Sequence, residues 1–354
     1  MFRFREGLET IKGYSTDEGN WRIKLDANER AGKLPSAVEE AIRARLAGLT
    51  LNRYPEIDQS SLKARIAARL GCGLGNIVIG NGSSEILAAL CYIFGGAGRK
   101  TVVPTPSFSM YPIYCKLAGS QSIKVALEED FTLSPDKVVA AANIEQADFV
   151  LVCNPNNPTG GLMPMEAIEQ ILRGVRCPVA VDEAYGEFSG QSAIGLMEKY
   201  PNLIIVRTFS KAYGLAGGRV GYAIMAKEIA QMVGKVLLPY HVNVMSLAAA
   251  ETVYDMYAEF GPGLARTVAE RERLTAGLGG IRGVTVFPSA TNFLLFRTDQ
   301  AANLVIALEA NGIGIRDFSN SPGLAGCLRV TVGTPNENTA FLAAVQEFFQ
   351  GGRP

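Results

Sequence analysis

The chain has 354 residues, 48% of them hydrophobic, with 34 Lys plus Arg against 34 Asp plus Glu. At ~150 residues per domain this length suggests two domains, and the apolar content argues against a largely disordered chain. A net charge of zero offers no basic excess for nucleic acid, and six scattered cysteines without a CxxC pair, beside the single histidine His241, point away from a zinc site or a disulfide framework and toward a reducing compartment.

The N-terminal stretch MFRFREGLETIKGY carries Arg3, Arg5, Glu6 and Glu9 with no apolar core behind them, so it does not read as a secretion signal. The longest uncharged apolar stretch, residues 86–98, is too short to span a bilayer. A cytoplasmic protein with no membrane association is expected. Residues 35–46 and 58–70 carry apolar residues at helical spacing, with Pro35 and Asp58 where helix starts are expected. Short apolar runs then alternate with longer periodic segments. Strands are predicted at 77–79, 101–103, 122–126, 149–153, 179–182, 203–208 and 220–225. Several are continuously apolar (FVLVC, PVAVD, NLIIV), the pattern of strands buried on both faces of a largely parallel sheet. The fold class is α/β, with helices on both faces. One long helix is predicted over 244–278. Strands at 284–287, 293–296, 314–316 and 328–332, with helices at 300–311 and 336–349, then form a smaller α+β unit.

Four motifs carry chemistry. Gly80-Asn-Gly-Ser-Ser-Glu85 lies between a strand and a helix; Glu85 in place of the third glycine rules out a dinucleotide fingerprint, but small residues opening a helix can cradle a phosphate. Asn154-Pro-Asn-Asn-Pro-Thr-Gly160 forms a stiff polar loop at a strand's carboxyl end, where open α/β sheets bind ligands. Val179-Ala-Val-Asp-Glu-Ala-Tyr185 runs an apolar strand into Asp182, a carboxylate that needs a cationic or proton-donating partner there. Arg207-Thr-Phe-Ser-Lys-Ala-Tyr-Gly-Leu-Ala-Gly-Gly-Arg219 delivers a hydroxyl, an amine and a guanidinium around a small-residue turn. Together, an amine able to form a Schiff base, a buried acid, a polar loop and a phosphate cradle are the parts of a pyridoxal-phosphate site.

On these motifs the sequence resembles the fold type I pyridoxal-phosphate aminotransferases, and within them the histidinol-phosphate aminotransferases. The resemblance also takes in Leu25-Asp-Ala-Asn-Glu29, Arg53-Tyr-Pro55, Pro104-Thr-Pro106 with Met110-Tyr111, Pro239-Tyr-His-Val-Asn243 and Cys327-Leu-Arg-Val-Thr-Val-Gly333. It implies a large domain (51–264) with a mostly parallel seven-stranded sheet, a small α+β domain (31–50 and 265–354) and an N-terminal arm (1–30). It implies that Lys211 forms the Schiff base with pyridoxal 5'-phosphate, that Asp182 pairs with the ring nitrogen, and that Asn157 and Tyr185 bind the phenolic oxygen. Tyr111 would stack on the ring, and Gly82, Ser83, Ser84, Ser210 and Arg219 would surround the phosphate. Tyr54 would reach the cofactor phosphate of a second subunit, which implies a homodimer with shared sites. Arg316 and Arg329 would take substrate anions, and Tyr14 would lie near the substrate side chain. Three positions depart from the family pattern: Ser84, Phe108 and Gly218, where an acid, a tyrosine and a leucine are commoner.

The implied reaction is L-histidinol phosphate plus 2-oxoglutarate giving imidazole-acetol phosphate plus L-glutamate, in histidine biosynthesis. A threonine-phosphate decarboxylase or an aromatic-amino-acid aminotransferase is the alternative on the same fold. A non-catalytic ligand-sensing domain would need an appended DNA-binding module, for which no room is expected. His241 is read as a pocket or packing residue, and the cysteines as small core residues.

Overall fold

The computed structural model describes residues 2, 8–11, 13 and 19–351, so Tyr14 lies outside the described residues. Twelve strands are described in two sheets: β1 (Ile23–Leu25), β2 (Ile77–Asn81), β3 (Lys100–Thr105), β4 (Gln121–Ala126), β5 (Phe149–Cys153), β6 (Val179–Asp182), β7 (Leu203–Thr208), β8 (Val220–Ile224), β9 (Thr285–Val286), β10 (Phe293–Arg297), β11 (Ile313–Asp317) and β12 (Cys327–Thr331).

The larger sheet has the order β2-β8-β7-β6-β5-β3-β4. Its pairings are parallel from β4 to β7, and β8 runs antiparallel to both its neighbours. Every residue of β5, β6 and β8 is buried. That explains why these runs lack the polar alternation of a half-exposed strand: helices cover both faces. On one face Leu151, Ile204 and Ala223 pack with Ile86, Leu90 and Tyr111. On another, Val150, Val181 and Ile205 pack with Val138, Ile168 and Leu172. The seven predicted strands all appear, within two residues at either end.

The second sheet has the order β1-β11-β12-β10-β9 and closes over helices Ala301–Ala310 and Pro335–Gly351 around Phe296, Leu304, Phe341 and Val345. Strand β1 was not anticipated. Its Ile23 and Leu25 enter this core while Lys24 faces outward, and it pairs in parallel with Ile313–Ile315. Residues 23–25 thus sit in the smaller sheet rather than in a separate arm. Residues 31–50 also pack differently from the expectation. In helix Ser36–Ala47 the fully buried Val38 joins Leu62, Ile66, Tyr222 and Val253, on the large sheet's side.

The single helix predicted over 244–278 is broken. Helix Val244–Asp255 ends at Met256, a short 3₁₀ turn covers Tyr257–Phe260, and a new helix runs Gly261–Gly279. The physical reason is Gly261-Pro262-Gly263: a proline is tolerated in the first turn of a helix and not in its interior. No helix among the described residues is long and apolar enough to cross a membrane.

Candidate active site

The carboxyl ends of the parallel strands and the facing surface of the second sheet enclose a cavity of about 540 Å³. Its wall includes Lys211, Arg219, Arg316 and Arg329 against Asp26 and Asp182, so cations outnumber acids and anionic ligands are favoured.

Asp182 is the last residue of β6, where the strand's apolar run stops at the cavity floor. It is almost fully buried. Oδ2 accepts the Tyr111 hydroxyl at 2.8 Å and Oδ1 accepts the Ala184 N–H at 3.1 Å. Burial pushes its pKa up from 3.8 to about 6, against the pull of these two donors. Three residues beyond β7, Lys211 donates from Nζ to the Ala27 carbonyl at 3.0 Å. Burial, helped by the Arg329 charge, lowers its pKa from 10.5 to about 8. Tyr185 stands edge-on to Phe293, and its hydroxyl accepts from Asn28 Nδ2 at 2.9 Å. Burial raises the phenol's pKa.

The Asn-rich loop divides its labour. Asn154 bonds both the N–H and the carbonyl of Met163, and Asn156 bonds Ser107, Thr159 and the Pro106 carbonyl. These two amides fold the loop. Asn157 alone of the three faces the cavity, where its Oδ1 accepts from Arg329 Nη1 at 2.6 Å. Arg329 also donates from Nη2 to the Asp26 carbonyl at 2.6 Å. Arg316 lies directly across the strand pairing from Arg329, so both guanidinium groups share one wall.

The phosphate-cradle candidate is built from β2, the turn at Gly82 and the helix Ser83–Phe94. Gly82 takes a φ of 76°, where a side chain would also overlap the Arg219 guanidinium. Arg219 donates to Ser210 Oγ at 3.3 Å, and Ser83, Ser84, Ser210 and Arg219 line the same cavity. Gly221 on β8 lies against the back of this turn, where an added Cβ would overlap the Ser83 nitrogen and stand 2.8 Å from its Cα. Gly221→Ala is therefore expected to lower stability by about 1–3 kcal/mol, because the obstacle is backbone. Urea denaturation of the variant beside the parent measures it.

One expectation changes. Tyr111, expected against the ligand ring, has no exposed surface and lies behind Asp182. Phe108, edge-on to Tyr111 at 5.4 Å, occupies the cavity wall instead. Tyr54 is 79% exposed and stacks on Tyr240 at 4.4 Å, away from this chain's own cavity. His241 lies outside the cavity, with its ring nitrogens against the carbonyls of Leu238 and Ile79. Residues without an assigned role from sequence also line the cavity: Asp26, Ala27 and Asn28 after β1, with Tyr114 and Thr208. Only the first group had a signal, the run Leu25-Asp-Ala-Asn-Glu29, whose position over the cavity depends on the pairing of β1.

The histidinol-phosphate aminotransferase of Thermococcus gammatolerans is 39% identical over 346 residues, covering 98% of this chain and 97% of its own. That of Ruminiclostridium cellulolyticum is 35% identical over 342 residues, covering 96% of each. The crystal structure of histidinol-phosphate aminotransferase from Sinorhizobium meliloti, in complex with pyridoxal-5'-phosphate, has a TM-score of 0.89 at 25% identity and covers 99% of both chains. Residues 22–345 match a single family description, and the match spans both sheets that enclose the cavity; the chain belongs to the aminotransferase class I and II family.

Proposed function

We propose that the protein is a pyridoxal-phosphate-dependent aminotransferase that interconverts L-histidinol phosphate plus 2-oxoglutarate with imidazole-acetol phosphate plus L-glutamate. The observation that carries the reading is Lys211: a primary amine buried in the same cavity as the strand-end acid Asp182, with its pKa lowered to about 8. Near neutral pH such an amine keeps a far larger unprotonated, nucleophilic fraction than an ordinary lysine. The residues present fit the cofactor. The helix N-terminus at Ser83, closely packed by Gly221, suits a phosphate, and the buried carboxyl of Asp182 suits a basic ring nitrogen.

Pyridoxal phosphate, when bound, supplies an aldehyde for the amine and an electron sink for the substrate's α carbon. The protein's own groups do the rest. Backbone N–H groups at Ser83 and Ser84, the Ser210 hydroxyl and Arg219 hold the phosphate. Asp182 keeps the ring nitrogen protonated, and Asn157 and Tyr185 hydrogen-bond the phenolic oxygen. Phe108 presents its ring from the wall. The Lys211 amine would take the proton from the substrate's α carbon as a general base and give it back as a general acid in the same cavity. Arg316 and Arg329 bind the phosphate ester of one substrate and the side-chain carboxylate of the other, a task suited to guanidinium forks. Tyr54, exposed on this chain, reaches the cavity of a second copy in a homodimer. The enzyme works in the cytoplasm.

The visible spectrum of the protein reconstituted with pyridoxal phosphate tests the assignment. L-Histidinol phosphate should bleach the yellow band and 2-oxoglutarate should restore it, with ping-pong kinetics overall. A band indifferent to histidinol phosphate overturns the substrate. Release of carbon dioxide from threonine phosphate, or keto-acid formation from phenylalanine, would replace it.

A further inference from the structure

Tyr111 sits on the first turn of the helix Met110–Leu117 and is sealed from solvent beneath the cavity floor. Its ring is held edge-on by Phe108, and its hydroxyl meets Asp182 Oδ2 at 2.8 Å. The other Asp182 oxygen is taken by the Ala184 N–H. These two neutral donors are the Asp182 side chain's hydrogen-bond partners among the described residues. The surrounding titratable groups do not replace them. Glu183, next in the chain, repels the carboxylate and is itself committed to Arg207, Ser192 and the Ala193 N–H. Cys153 faces Asp182 across the β5–β6 pairing, and Tyr114 and Tyr185 lie nearby with phenols that burial keeps neutral.

We infer that Tyr111 is a positioning residue of this site, orienting the Asp182 carboxylate and holding it in the charged form that a protonated ring nitrogen requires. The inference rests on the pyridoxal-phosphate reading above. The physical ground is that a carboxylate taken out of water stays ionised only through the donors that replace water. Here half of those donors come from one phenol. Burial already favours the neutral acid, so the loss of one donor moves the balance further that way. A protonated Asp182 can no longer stabilise a positive ring nitrogen, and the electron sink weakens. The hydroxyl, not the aromatic surface, carries this role.

Tyr111→Phe separates the two, because a ring that merely packs or stacks survives the change. In the reconstituted holoenzyme, single-turnover bleaching by L-glutamate is followed across pH. The acidic limb should move up by about one pH unit, with about a tenfold loss of rate below it and little change in the glutamate concentration needed for half-saturation. The dissociation constant of pyridoxal phosphate, measured by equilibrium dialysis, should rise on the acidic side with the same midpoint. In an Asp182→Asn background the Tyr111→Phe change should alter neither readout more than about twofold, since coupled groups lose their effect together. A 3-fluorotyrosine at position 111 keeps the shape and is a stronger donor; it should move the limb down. It also provides the readout should Tyr111→Phe not fold. Limbs unchanged by both substitutions, or an equal loss with Asp182 present and in the Asp182→Asn background, overturn the inference. A wild-type protein that takes up no pyridoxal phosphate, or whose band no amino donor bleaches, overturns the underlying reading instead.

Discussion

Lys211→Ala should lower single-turnover amino transfer at least about 10⁴-fold, since a proton-transfer group placed at the reacting carbon is worth about 10² to 10⁴ before its nucleophilic role is counted. The fold should survive. Among the described residues the Lys211 side chain belongs to none of the apolar clusters, and its hydrogen bond is to one carbonyl, that of Ala27. Stability should respond in a particular direction. The native amine has a pKa of about 8 against 10.5 for an ordinary lysine, so the unfolded chain binds the extra proton between those values. Stability of the cofactor-free wild type therefore rises with pH from about 8 to 10.5 and is lowest, on this account, below 8. The alanine variant lacks that dependence and should melt no lower than wild type at neutral pH. Borohydride reduction followed by peptide mass analysis gives the chemical check: cofactor fixed at residue 211 in the wild type, and none in the variant.

Asp182→Asn should be the second severe loss, about 10³-fold in the same half-reaction, with the yellow cofactor still bound through the phosphate cradle. Asparagine keeps the shape and can still accept the Ala184 N–H, but it removes the charge opposite the ring nitrogen. Here the pH linkage has the opposite sense. The folded pKa of about 6 lies above the ordinary 3.8, so the native state binds the extra proton in that interval. The stabilising contribution is complete below 3.8 and is lost as pH rises through 6. The cofactor-free asparagine variant should thus gain stability relative to wild type above about pH 6. Melting curves at about pH 4 and about pH 7 would show the difference between the two proteins widening with pH. A variant that is both inactive and less stable at neutral pH would mean that Asp182 supports the fold rather than the ligand. Buried charges that lower stability and serve chemistry follow the usual trade between the two.

The parts of this architecture written in local pattern were the readable ones. FVLVC and VAVD are strands because each position is buried on both faces, and a run without polar alternation states that directly. Asp182 was legible for a related reason: an acid that ends such a run must sit at the strand's end, whereas Lys211, three residues beyond β7, was legible from the motif that joins it to Ser210 and Arg219. Other features depend on contacts between distant segments. Ile23–Leu25 is three residues long and becomes a strand only because Ile313–Ile315 lies beside it. Phe108 and Tyr111 are both aromatic and three residues apart, one just before the helix Met110–Leu117 and one on its first turn. Which of them faces the cavity is decided by how that helix lies on the sheet, and no composition rule separates them. The helix break at Gly261-Pro262-Gly263 was in the sequence, but the apolar spacing on either side outweighed it in the reading.

The pairing of β1 with β11 also bears on the order of assembly. Asp26 and Ala27, which cap Arg329 and Lys211 through their carbonyls, are made early but are held in place by strands between residues 313 and 331. A nascent chain emerging from the ribosome can pair all seven strands of the large sheet, and build the cradle at Gly82, before those residues exist. The roof over the lysine must wait until the strands between residues 313 and 331 have been made. Contacts separated by roughly three hundred residues form slowly, so a stalled or truncated chain would hold a phosphate-binding turn beneath an uncovered amine. Competence to react comes only once those strands have closed over the lysine.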